Sequence, residues 1–214
     1  MESPAWLADG AAAAAAYLVG GIPFGLIVAR AARGIDIREH GSRNIGATNV
    51  GRVCGWRWGA LVLALDGAKG FAPVFWLAPW IVVAAGRGGE DAGRASVASG
   101  LAAILGHLAP PWLGFKGGKG VATSAGVFLA LAPAAAGIAL AVFLVTVAAF
   151  RMVSLGSVVA AVALPAAYAL VPPGGFDAVF GLSAAVALLV LFRHRENLQR
   201  IAAGTEPKIG RSKS

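Results

Sequence analysis

The sequence is short of charge, of acidic residues and of cysteine. Only 13% of its 214 residues are charged, which is about half the share found in a soluble domain. The chain therefore has too few charged residues to cover a surface that faces water. The sequence has ten acidic and 18 basic residues. This excess of positive charge indicates contact with anionic lipid, binding of an anionic substrate, or control of membrane topology. Cys54 is the only cysteine, which excludes an intrachain disulfide and a thiolate metal site. The composition is that of a membrane protein.

Long apolar runs predict seven membrane-spanning helices. About 20 apolar residues cross the bilayer core, whereas the charge-free stretch 120–150 is long enough to overshoot it as one helix. Pro133 lies near its middle and is expected to divide it. The predicted fold is an all-α polytopic membrane protein with one domain, residues 1–214. Its approximate spans are 8–30, 58–86, 95–113, 120–132, 134–150, 153–172 and 176–193.

The distribution of basic residues predicts the orientation of these spans. Because Lys and Arg mark cytoplasmic loops, the division at Pro133 is favoured: it gathers the basic loops and the tail, including Arg211 and Lys213, on one face. Only Arg87 and Arg94 then lie on the opposite face. We therefore expect the N-terminus outside and the C-terminus in the cytoplasm. No basic region precedes the first apolar run, so this helix is expected to be a retained anchor rather than a signal peptide.

Polar residues concentrate in four segments, all on the predicted cytoplasmic face. They are the first polar loop (40–52), the DGAKG segment (66–70), the stretch 106–123 that contains the glycine loop (116–120, KGGKG), and the tail segment (193–206). In the first polar loop, glycines let backbone N–H groups turn toward one anion, and neighbouring Ser, Thr and Asn add donors. The pattern favours a phosphate cradle ending at Arg52, although a plain turn-rich connection is the alternative.

The glycine loop has the composition of a second anion site. Lys116 and Lys119 flank its glycines directly before an apolar run, where the amides and dipole of a helix N-terminus favour an anion. It is not a Walker A loop, because position 113 is Leu and position 120 is Gly rather than Ser or Thr. The alternative interpretation is two lysines that only mark a cytoplasmic loop.

The remaining candidates are ionisable or polar residues near helix ends. Asp66 and Lys69 are three residues apart and are expected to pair, in a structural or a substrate-binding role. His107 is expected to be a hydrogen-bonded helix-end residue. The tail segment is predicted to continue as an amphipathic helix, with one face formed by Arg193, Asn197 and Arg200 and with His194 near them. The alternative there is a basic collar on the last span.

No nucleophilic or metal-binding pattern is present in the sequence. The histidines are not in metal-ligand spacing, and HExxH, GxSxG and paired-carboxylate patterns are missing. We therefore expect neither a metal nor a cofactor. Two anion sites on one face indicate two phosphorylated ligands, or one ligand with two anionic groups.

Across nearly its whole length the sequence resembles the bacterial acyl-phosphate:glycerol-3-phosphate acyltransferases, integral membrane enzymes that form lysophosphatidic acid. The resemblance rests on GGIPFG at 20–25, GSRNIGATNVGR at 41–52, DGAKG at 66–70, GH at 106–107, FKGGKGVAT at 115–123, SLGS at 154–157, RHRENLQR at 193–200 and GTE at 204–206. The family is described as having seven helices with cytoplasmic motifs. Its first motif often reads Ser-Gly-Asn, whereas Arg43 replaces the glycine here.

The resemblance implies the roles of individual residues. The acyl phosphate would be held by Ser42, Asn44, Gly46, Ala47, Thr48 and Asn49. Glycerol 3-phosphate would be positioned by Arg52, Lys119, Asn197 and Arg200, with His194 near the reacting groups. The expected catalytic set is Ser42, Arg52, Lys119, His194 and Asn197; Lys116, Gly117, Gly118 and Glu206 join the binding set, and Asp66, Lys69 and His107 are expected to support it.

The resemblance further implies a reaction and a location. The 1-hydroxyl of glycerol 3-phosphate would attack acyl phosphate directly, without a covalent enzyme intermediate, as the first acylation of phospholipid synthesis. The proton would pass to the departing phosphate group, which we favour, or to His194. We expect a multi-pass protein of the bacterial inner membrane with a cytoplasmic active site. It is expected to be a monomer or weak oligomer with no nucleic-acid partner.

Two other classes of function are alternatives to this one. A transporter or channel for a phosphorylated or anionic solute is expected to have broken helices and intramembrane charge. The sequence has its polar motifs on one face and shows no inverted repeat. A small membrane scaffold would leave both phosphate-type loops unexplained.

Overall fold

The computed structural model describes residues 5–171 and 175–210, and within these ranges every regular element is helical. Arg211 and Lys213 of the predicted basic tail, and residue 172 at the predicted end of the sixth span, lie outside the described residues. The chain divides into two compact units, Met1–Leu131 and Ala132–Ser214. The expectation of an all-α protein is confirmed for the described part of the chain.

The first unit is built from seven α-helices and two short 3₁₀ turns among its described residues. The helices are α1 (Ala5–Gly20), α2 (Phe24–Arg33), α3 (Ala47–Cys54), α4 (Trp56–Ala72), α5 (Ala78–Ala84), α6 (Glu90–Leu108) and α7 (Val121–Leu131). The 3₁₀ turns are Ile37–Glu39 and Pro111–Leu113. Helix α1 packs against α6, and α4 packs against both α3 and α7.

The first predicted span is broken between α1 and α2. Pro23 lacks the N–H that would bond the Val19 carbonyl and continue α1, and the Val19 carbonyl accepts from the Ile22 amide instead. Two distant side chains bond the carbonyls at the break: the Trp112 indole N–H donates to the Gly21 carbonyl (2.6 Å), and the Lys69 ammonium donates to the Ile22 carbonyl (2.7 Å), which also accepts from the Phe24 amide (3.0 Å). The break is therefore fixed by hydrogen bonds from other parts of the unit.

A π-helical turn, Pro73–Leu77, joins α4 to α5 without ending the helix. Pro73 cannot donate to the carbonyl four residues earlier, and the Ala78 N–H bonds instead to the Pro73 carbonyl, five residues back. The result is one long helical segment, Trp56–Ala84.

Glycines allow the helices of the first unit to pack backbone to backbone. A Cβ on Gly20 would overlap the backbone of Ala103 where α1 meets α6, and one on Gly126 would overlap the Gly67 carbonyl where α4 meets α7. Close helix approach through small residues is typical of membrane proteins.

The second unit contains α8 (Pro133–Phe150), α9 (Val153–Leu170), α10 (Ala178–Arg193) and α11 (Arg195–Ala202) among its described residues. The helix break expected at Pro133 is present, because α7 ends at Leu131 and α8 begins at Pro133. Asp177 caps α10 by accepting from the amides of Val179 and Phe180, and it also accepts a 2.7 Å hydrogen bond from the Tyr168 hydroxyl.

More than one helical segment of the described residues has the length and composition of a membrane span, as in a multi-pass protein. Four helical segments are long and apolar enough to cross a membrane among the described residues: Trp6–Arg33, Trp56–Ala84, Pro133–Phe150 and Val153–Leu170. The pair α10 and α11, bent by 59°, makes a fifth if it is counted as one span. Helix α6 begins with charged residues, and α7 has only 11 residues, or about 16 Å. Seven spans and their orientation remain predictions.

Candidate active site

The first polar loop is organised around the side chain of Asn49. Its Oδ1 accepts from the Ser42 amide (2.8 Å), and its Nδ2 donates to the carbonyls of Asn44 (2.9 Å), His40 (3.0 Å) and Ile37 (3.3 Å). Asn49 is only 2% exposed, so these bonds are shielded from water. The Asn49 side chain, which is expected to bind substrate, is bonded to the backbone of the loop.

Around this buried centre, the loop presents polar side chains outward. Ser42, Thr48 and Arg52 are all exposed. The Gly46 amide donates a 2.8 Å hydrogen bond to Oδ1 of Asn44. Gly46 precedes α3, whose first residue is Ala47. An exposed hydroxyl pair and a guanidinium beside a helix N-terminus match the groups that bind phosphate.

Arg43 occupies a backbone position that favours glycine. Its φ of 59° lies in the left-handed region, which costs a residue with a Cβ about 1–2 kcal/mol. This conformation gives a physical reason for the glycine that often stands here in the family the sequence resembles. The turn is retained despite the substitution.

An ion-paired turn leads into the loop. Asp36 accepts from the Arg38 amide and from its guanidinium, with the shortest contact at 2.6 Å, and it also pairs with Arg30 at 3.2 Å. The hydrogen bonds from Arg38, above all that of its side chain, hold the pKa of Asp36 well below its usual range. Asp36 therefore stays ionised and caps the turn Ile37–Glu39 at physiological pH.

The glycine loop folds back on the end of α6. The amides of Gly117 and Gly118 donate to the carbonyls of Leu108 and His107, each at 3.1 Å. A Cβ on Gly118 would overlap the His107 ring, so only glycine fits there. These two amides therefore bond the end of α6 and hold the glycine loop against it. Lys116 is exposed, and Lys119 is half-buried.

Asp66, Lys69 and His107 form a buried cluster below these loops. Asp66 and Lys69 pair at 2.7 Å, as their spacing predicts, and the side chains are 3% and 2% exposed. The Nδ1 atom of His107 lies 3.8 Å from the Asp66 carboxylate. Since Lys69 also bonds the carbonyl of Ile22, the cluster links the α1–α2 break to the support of the glycine loop.

In the second unit, Glu206 is the centre of the tail segment. Its Oε1 accepts from the Ser154 hydroxyl and the Asn197 amide, both at 2.6 Å, and its Oε2 accepts from Arg200 Nε at 2.8 Å. Burial acts to raise the pKa of Glu206, but these three hydrogen bonds outweigh it and the pKa lies below its ordinary value. Glu206 is therefore an ionised organiser of Asn197 and Arg200.

Sequence reasoning missed Ser154 as a residue of this cluster. It stands in the SLGS motif at 154–157, at the start of α9, far in sequence from the residues it supports. The only sign of its role in the sequence is that SLGS, a motif with two hydroxyl residues, is one of the segments on which the family resemblance rests. The Ile209 amide adds a further link by donating to the Arg151 carbonyl at 2.8 Å, beside the same helix start.

The predicted single helical face of the tail segment is wrong. Helix α10 ends at Arg193, and α11 begins at Arg195 after a bend of 59°, so Arg193 does not share a helix with Asn197 and Arg200. His194 lies at the bend, 3% exposed, and its Nδ1 donates to the Val190 carbonyl at 2.8 Å. This bond places the ring proton on Nδ1 and leaves Nε2 as the acceptor of the neutral ring.

Taken together, the fold and its polar clusters define a class: a polytopic helical membrane protein with loops suited to phosphorylated ligands. Among the residues that the structure describes, no group of three or more His, Cys, Asp or Glu is placed to hold a metal ion.

Comparison with known proteins identifies the family. The family model for glycerol-3-phosphate acyltransferase matches residues 10–204, and the chain belongs to this family. It is 44% identical to a glycerol-3-phosphate acyltransferase of Anaeromyxobacter dehalogenans, with 92% of this chain and 94% of the relative covered. It is 47% identical to one of Geobacter sulfurreducens, with 92% and 95% covered.

Solved structures show the same architecture. The glycerol 3-phosphate form of PlsY (YgiH), an integral membrane glycerol 3-phosphate acyltransferase, superposes with a TM-score of 0.82 at 37% identity, covering 94% of this chain and 96% of that one. The lysophosphatidic acid form of PlsY gives a TM-score of 0.80, with 94% and 95% covered. The chain is therefore an integral membrane protein with this fold.

Proposed function

We propose that the protein transfers an acyl group from an acyl phosphate to the 1-hydroxyl of sn-glycerol 3-phosphate, giving lysophosphatidic acid and phosphate. Membership in the glycerol-3-phosphate acyltransferase family, over residues 10–204, supports the acceptor and the type of reaction. The similar PlsY structures were solved in glycerol 3-phosphate and lysophosphatidic acid forms, which are an acceptor and a product of this reaction. The acyl phosphate donor is proposed from the family resemblance alone.

The observation that carries the proposal is the first polar loop. Its buried Asn49 fixes the backbone, while Ser42, Thr48 and Arg52 are exposed. A rigid loop with outward hydroxyls is suited to the phosphate of the acyl donor. We assign donor binding to Ser42, Asn44, Gly46, Ala47 and Thr48, and we assign Asn49 to positioning the loop.

The cationic residues are assigned to the acceptor and to the developing charge. Arg52 and Lys119 would bind the phosphate of glycerol 3-phosphate, with Lys116 increasing the local positive potential. In the tail segment, Asn197 and Arg200 are assigned to the acceptor, and Glu206 is assigned to holding both in place through its hydrogen bonds.

The chemistry requires no covalent enzyme intermediate. An acyl phosphate is a mixed anhydride whose leaving group is phosphate, so the acceptor hydroxyl can attack the acyl carbon directly. The C–O bond to glycerol 3-phosphate forms, the bond from the acyl carbon to the phosphate oxygen breaks, and the electron pair leaves with phosphate. Cationic side chains reduce the repulsion between the two anionic substrates and stabilise the charge of the transition state.

The hydroxyl proton passes to the departing phosphate group in this proposal. Arg193, Arg195 and Arg200 neighbour His194 in sequence and would oppose a protonated imidazole. The alternative base is Nε2 of His194. If His194→Ala lowers kcat by more than about 10²-fold with KM unchanged, the histidine is the base and the substrate is not.

We further propose the topology that the charge distribution predicts. The chain would cross the bacterial inner membrane seven times, with its N-terminus outside, its C-terminus in the cytoplasm and its active site on the cytoplasmic face. Glycerol 3-phosphate would then arrive from the cytosol and the acyl donor from the bilayer. A monomer or weak oligomer is sufficient for this function.

The experiment that tests the function uses the purified full-length protein in lipid or detergent. Labelled glycerol 3-phosphate is supplied with palmitoyl phosphate or with palmitoyl-CoA, and lysophosphatidic acid is followed. Product from the acyl phosphate alone is expected. Product from palmitoyl-CoA alone would overturn the donor assignment. Product from neither donor, in folded protein, would favour the anion-transporter alternative and call for flux assays.

Matched variants and a chelator refine the test. Lys119→Ala is expected to lower kcat/KM by at least about 10²-fold, because it removes a charge from the site where negative charge develops. Arg94→Ala, which removes one charge from the predicted opposite face, is expected to leave activity unchanged. EDTA is expected to have no effect; a loss of activity that added Mg²⁺ restores would contradict the metal-independent mechanism.

A further inference from the structure

A surface cavity of about 290 Å³ lies where α2 ends and where α3 turns into α4. Six residues line it: Arg33, Cys54, Gly55, Trp56, Arg57 and Trp58. None of these six residues belongs to the proposed substrate sites, so a ligand in this cavity is independent of the proposed function. We propose that this cavity, which we call the Trp–Arg pocket, binds the phosphate of an anionic phospholipid headgroup.

The charge of the Trp–Arg pocket favours an anion. Arg33 and Arg57 are exposed at its rim, and none of its six lining residues is acidic. Guanidinium groups bind phosphate oxygens in a bidentate manner and are less strongly hydrated than ammonium groups. Gly55, with a φ of 109° and open space where a Cβ would stand, keeps the cavity unobstructed between them.

The depth of the pocket in the membrane favours a lipid rather than a soluble anion. Two candidate spans meet the pocket: Trp6–Arg33 ends at Arg33, and Trp56–Ala84 begins at Trp56. The pocket therefore lies at the boundary between the bilayer core and its headgroup region. Trp56 is 78% exposed and Trp58 is 36% exposed, and exposed indoles concentrate in this boundary region. A soluble phosphate would contact only the guanidinium groups, whereas a phospholipid would contact the guanidinium groups with its phosphate and the indole rings with its apolar part.

The test counts lipids retained by the full-length protein. Detergent-solubilised protein is titrated with phosphatidylglycerol or with phosphatidylcholine of the same acyl chains, and bound lipid is measured by native mass spectrometry. Two arginines at the membrane surface predict a preference of about 10-fold or more for phosphatidylglycerol. The double variant Arg33→Gln and Arg57→Gln is expected to remove this preference.

Controls make the result specific to the pocket. The double variant Arg87→Gln and Arg94→Gln also removes two positive charges, and it is expected to retain the wild-type preference. If the Gln variant does not fold, the variant Arg33→Lys and Arg57→Lys, which keeps the charge but loses the bidentate geometry, is expected to weaken the preference in part. Equal retention of both lipids by the wild type, or an undiminished preference in folded Arg33→Gln and Arg57→Gln protein, would overturn the proposal. Displacement of phosphatidylglycerol by millimolar inorganic phosphate would overturn it in favour of a soluble-anion site.

Discussion

At the scale of single residues, Asn49 shows how one buried amide determines the shape of a functional loop. It bonds the backbone of four residues spread over positions 37–44, and its own exposure is 2%. Removing a buried hydrogen-bond partner costs the desolvation of every group left unpaired, about 1–3 kcal/mol each. The cost at Asn49 is multiplied because several backbone groups depend on it.

We therefore expect Asn49→Ala to destabilise the protein by more than about 2 kcal/mol and to lower activity by about 10²-fold through misplaced loop donors. Asn49→Asp, of nearly the same shape, replaces a donor with an acceptor facing carbonyl oxygens and is expected to be at least as harmful. Ser96→Ala, which loses the single buried bond to the Val74 carbonyl, is the control and is expected to keep its activity. Thermal unfolding and the acyltransferase assay measure both effects. Wild-type stability and activity in Asn49→Ala would refute the assigned role.

The second prediction at the residue scale concerns pH. Because the folded-state pKa of Glu206 lies below the ordinary value of 4.5, its ionised form stabilises the folded protein above that value. This stabilisation is lost as the pH falls through the lower folded-state pKa. The difference in unfolding temperature between wild type and Glu206→Gln is expected to be constant from neutral pH down to about pH 5.5 and to shrink below the ordinary pKa.

Ser154→Ala provides the companion to this measurement. It removes one of the hydrogen bonds that lower the pKa of Glu206, so the pH at which the stabilisation disappears is expected to move upward. A difference between wild type and Glu206→Gln that grows toward low pH would contradict the direction assigned here.

Local spacing made some of these residues predictable, and only the folded chain revealed others. The Asp66–Lys69 pair follows from two charges three residues apart on a helix, and the structure confirms it. Sequence composition predicted donors in the first polar loop, but it could not say which of two asparagines turns inward. Ser154 and Glu206 are 52 positions apart in the sequence, and no periodic pattern of residues predicts a contact between positions so far apart.

At the scale of helices and their packing, glycine controls how closely α4 and α7 approach. A Cβ at Gly126 would overlap the Gly67 carbonyl, and backbone cannot yield as a flexible side chain can. We expect Gly126→Ala to separate the helices and to destabilise the protein by about 1–3 kcal/mol. Gly137→Ala in α8, where nothing lies near the added atom, is expected to be neutral or to stabilise by up to about 1 kcal/mol.

Thermal unfolding of the two variants in the same detergent distinguishes packing from helix propensity. Both substitutions raise helix propensity equally, so propensity alone predicts equal stabilisation. If Gly126→Ala unfolds at or above the wild-type temperature, then the close approach of α4 and α7 contributes nothing to stability.

Helix breaks were predictable only where a residue type enforces them. The run 120–150 is too long for one span and predicts the break at Pro133, whereas residues 8–30 have the length of a single span and give no sign of the break at Pro23. No proline or glycine stands near His194 in the sequence to predict the bend there. Its position depends on where α11 and the tail residues pack, which is tertiary information.

At the scale of the whole molecule, helix composition and charge distribution give different numbers of membrane crossings. Length and composition select four helical segments of the described residues, or five with the bent pair α10 and α11, whereas the charge distribution predicts seven crossings. The two descriptions differ chiefly at α6 and α7. Helix α6 carries charges in its first turn, and α7 is short.

Cys54 makes this question accessible, because it is the only cysteine and its replacement by Ala leaves a cysteine-free chain. On that background, Gly88→Cys, Phe115→Cys and Lys208→Cys each place one thiol at an exposed position between predicted spans or after the last one. A membrane-impermeant maleimide, applied to intact and then to permeabilised cells, reports the side of each thiol. We expect labelling at position 88 from outside, and at positions 115 and 208 only after permeabilisation.

Parity makes each outcome decisive. Positions 88 and 115 are separated by α6 alone, so labelling from the same side would mean that α6 does not cross. Positions 115 and 208 are separated by α7, α8, α9 and the bent pair α10 and α11, and four crossings, an even number, would place them on one side. If α7 fails to cross while the other three do, the two thiols lie on opposite sides. The lysines of the glycine loop and the arginines of the tail segment would then face different compartments, and they would be unable to act on one soluble acceptor.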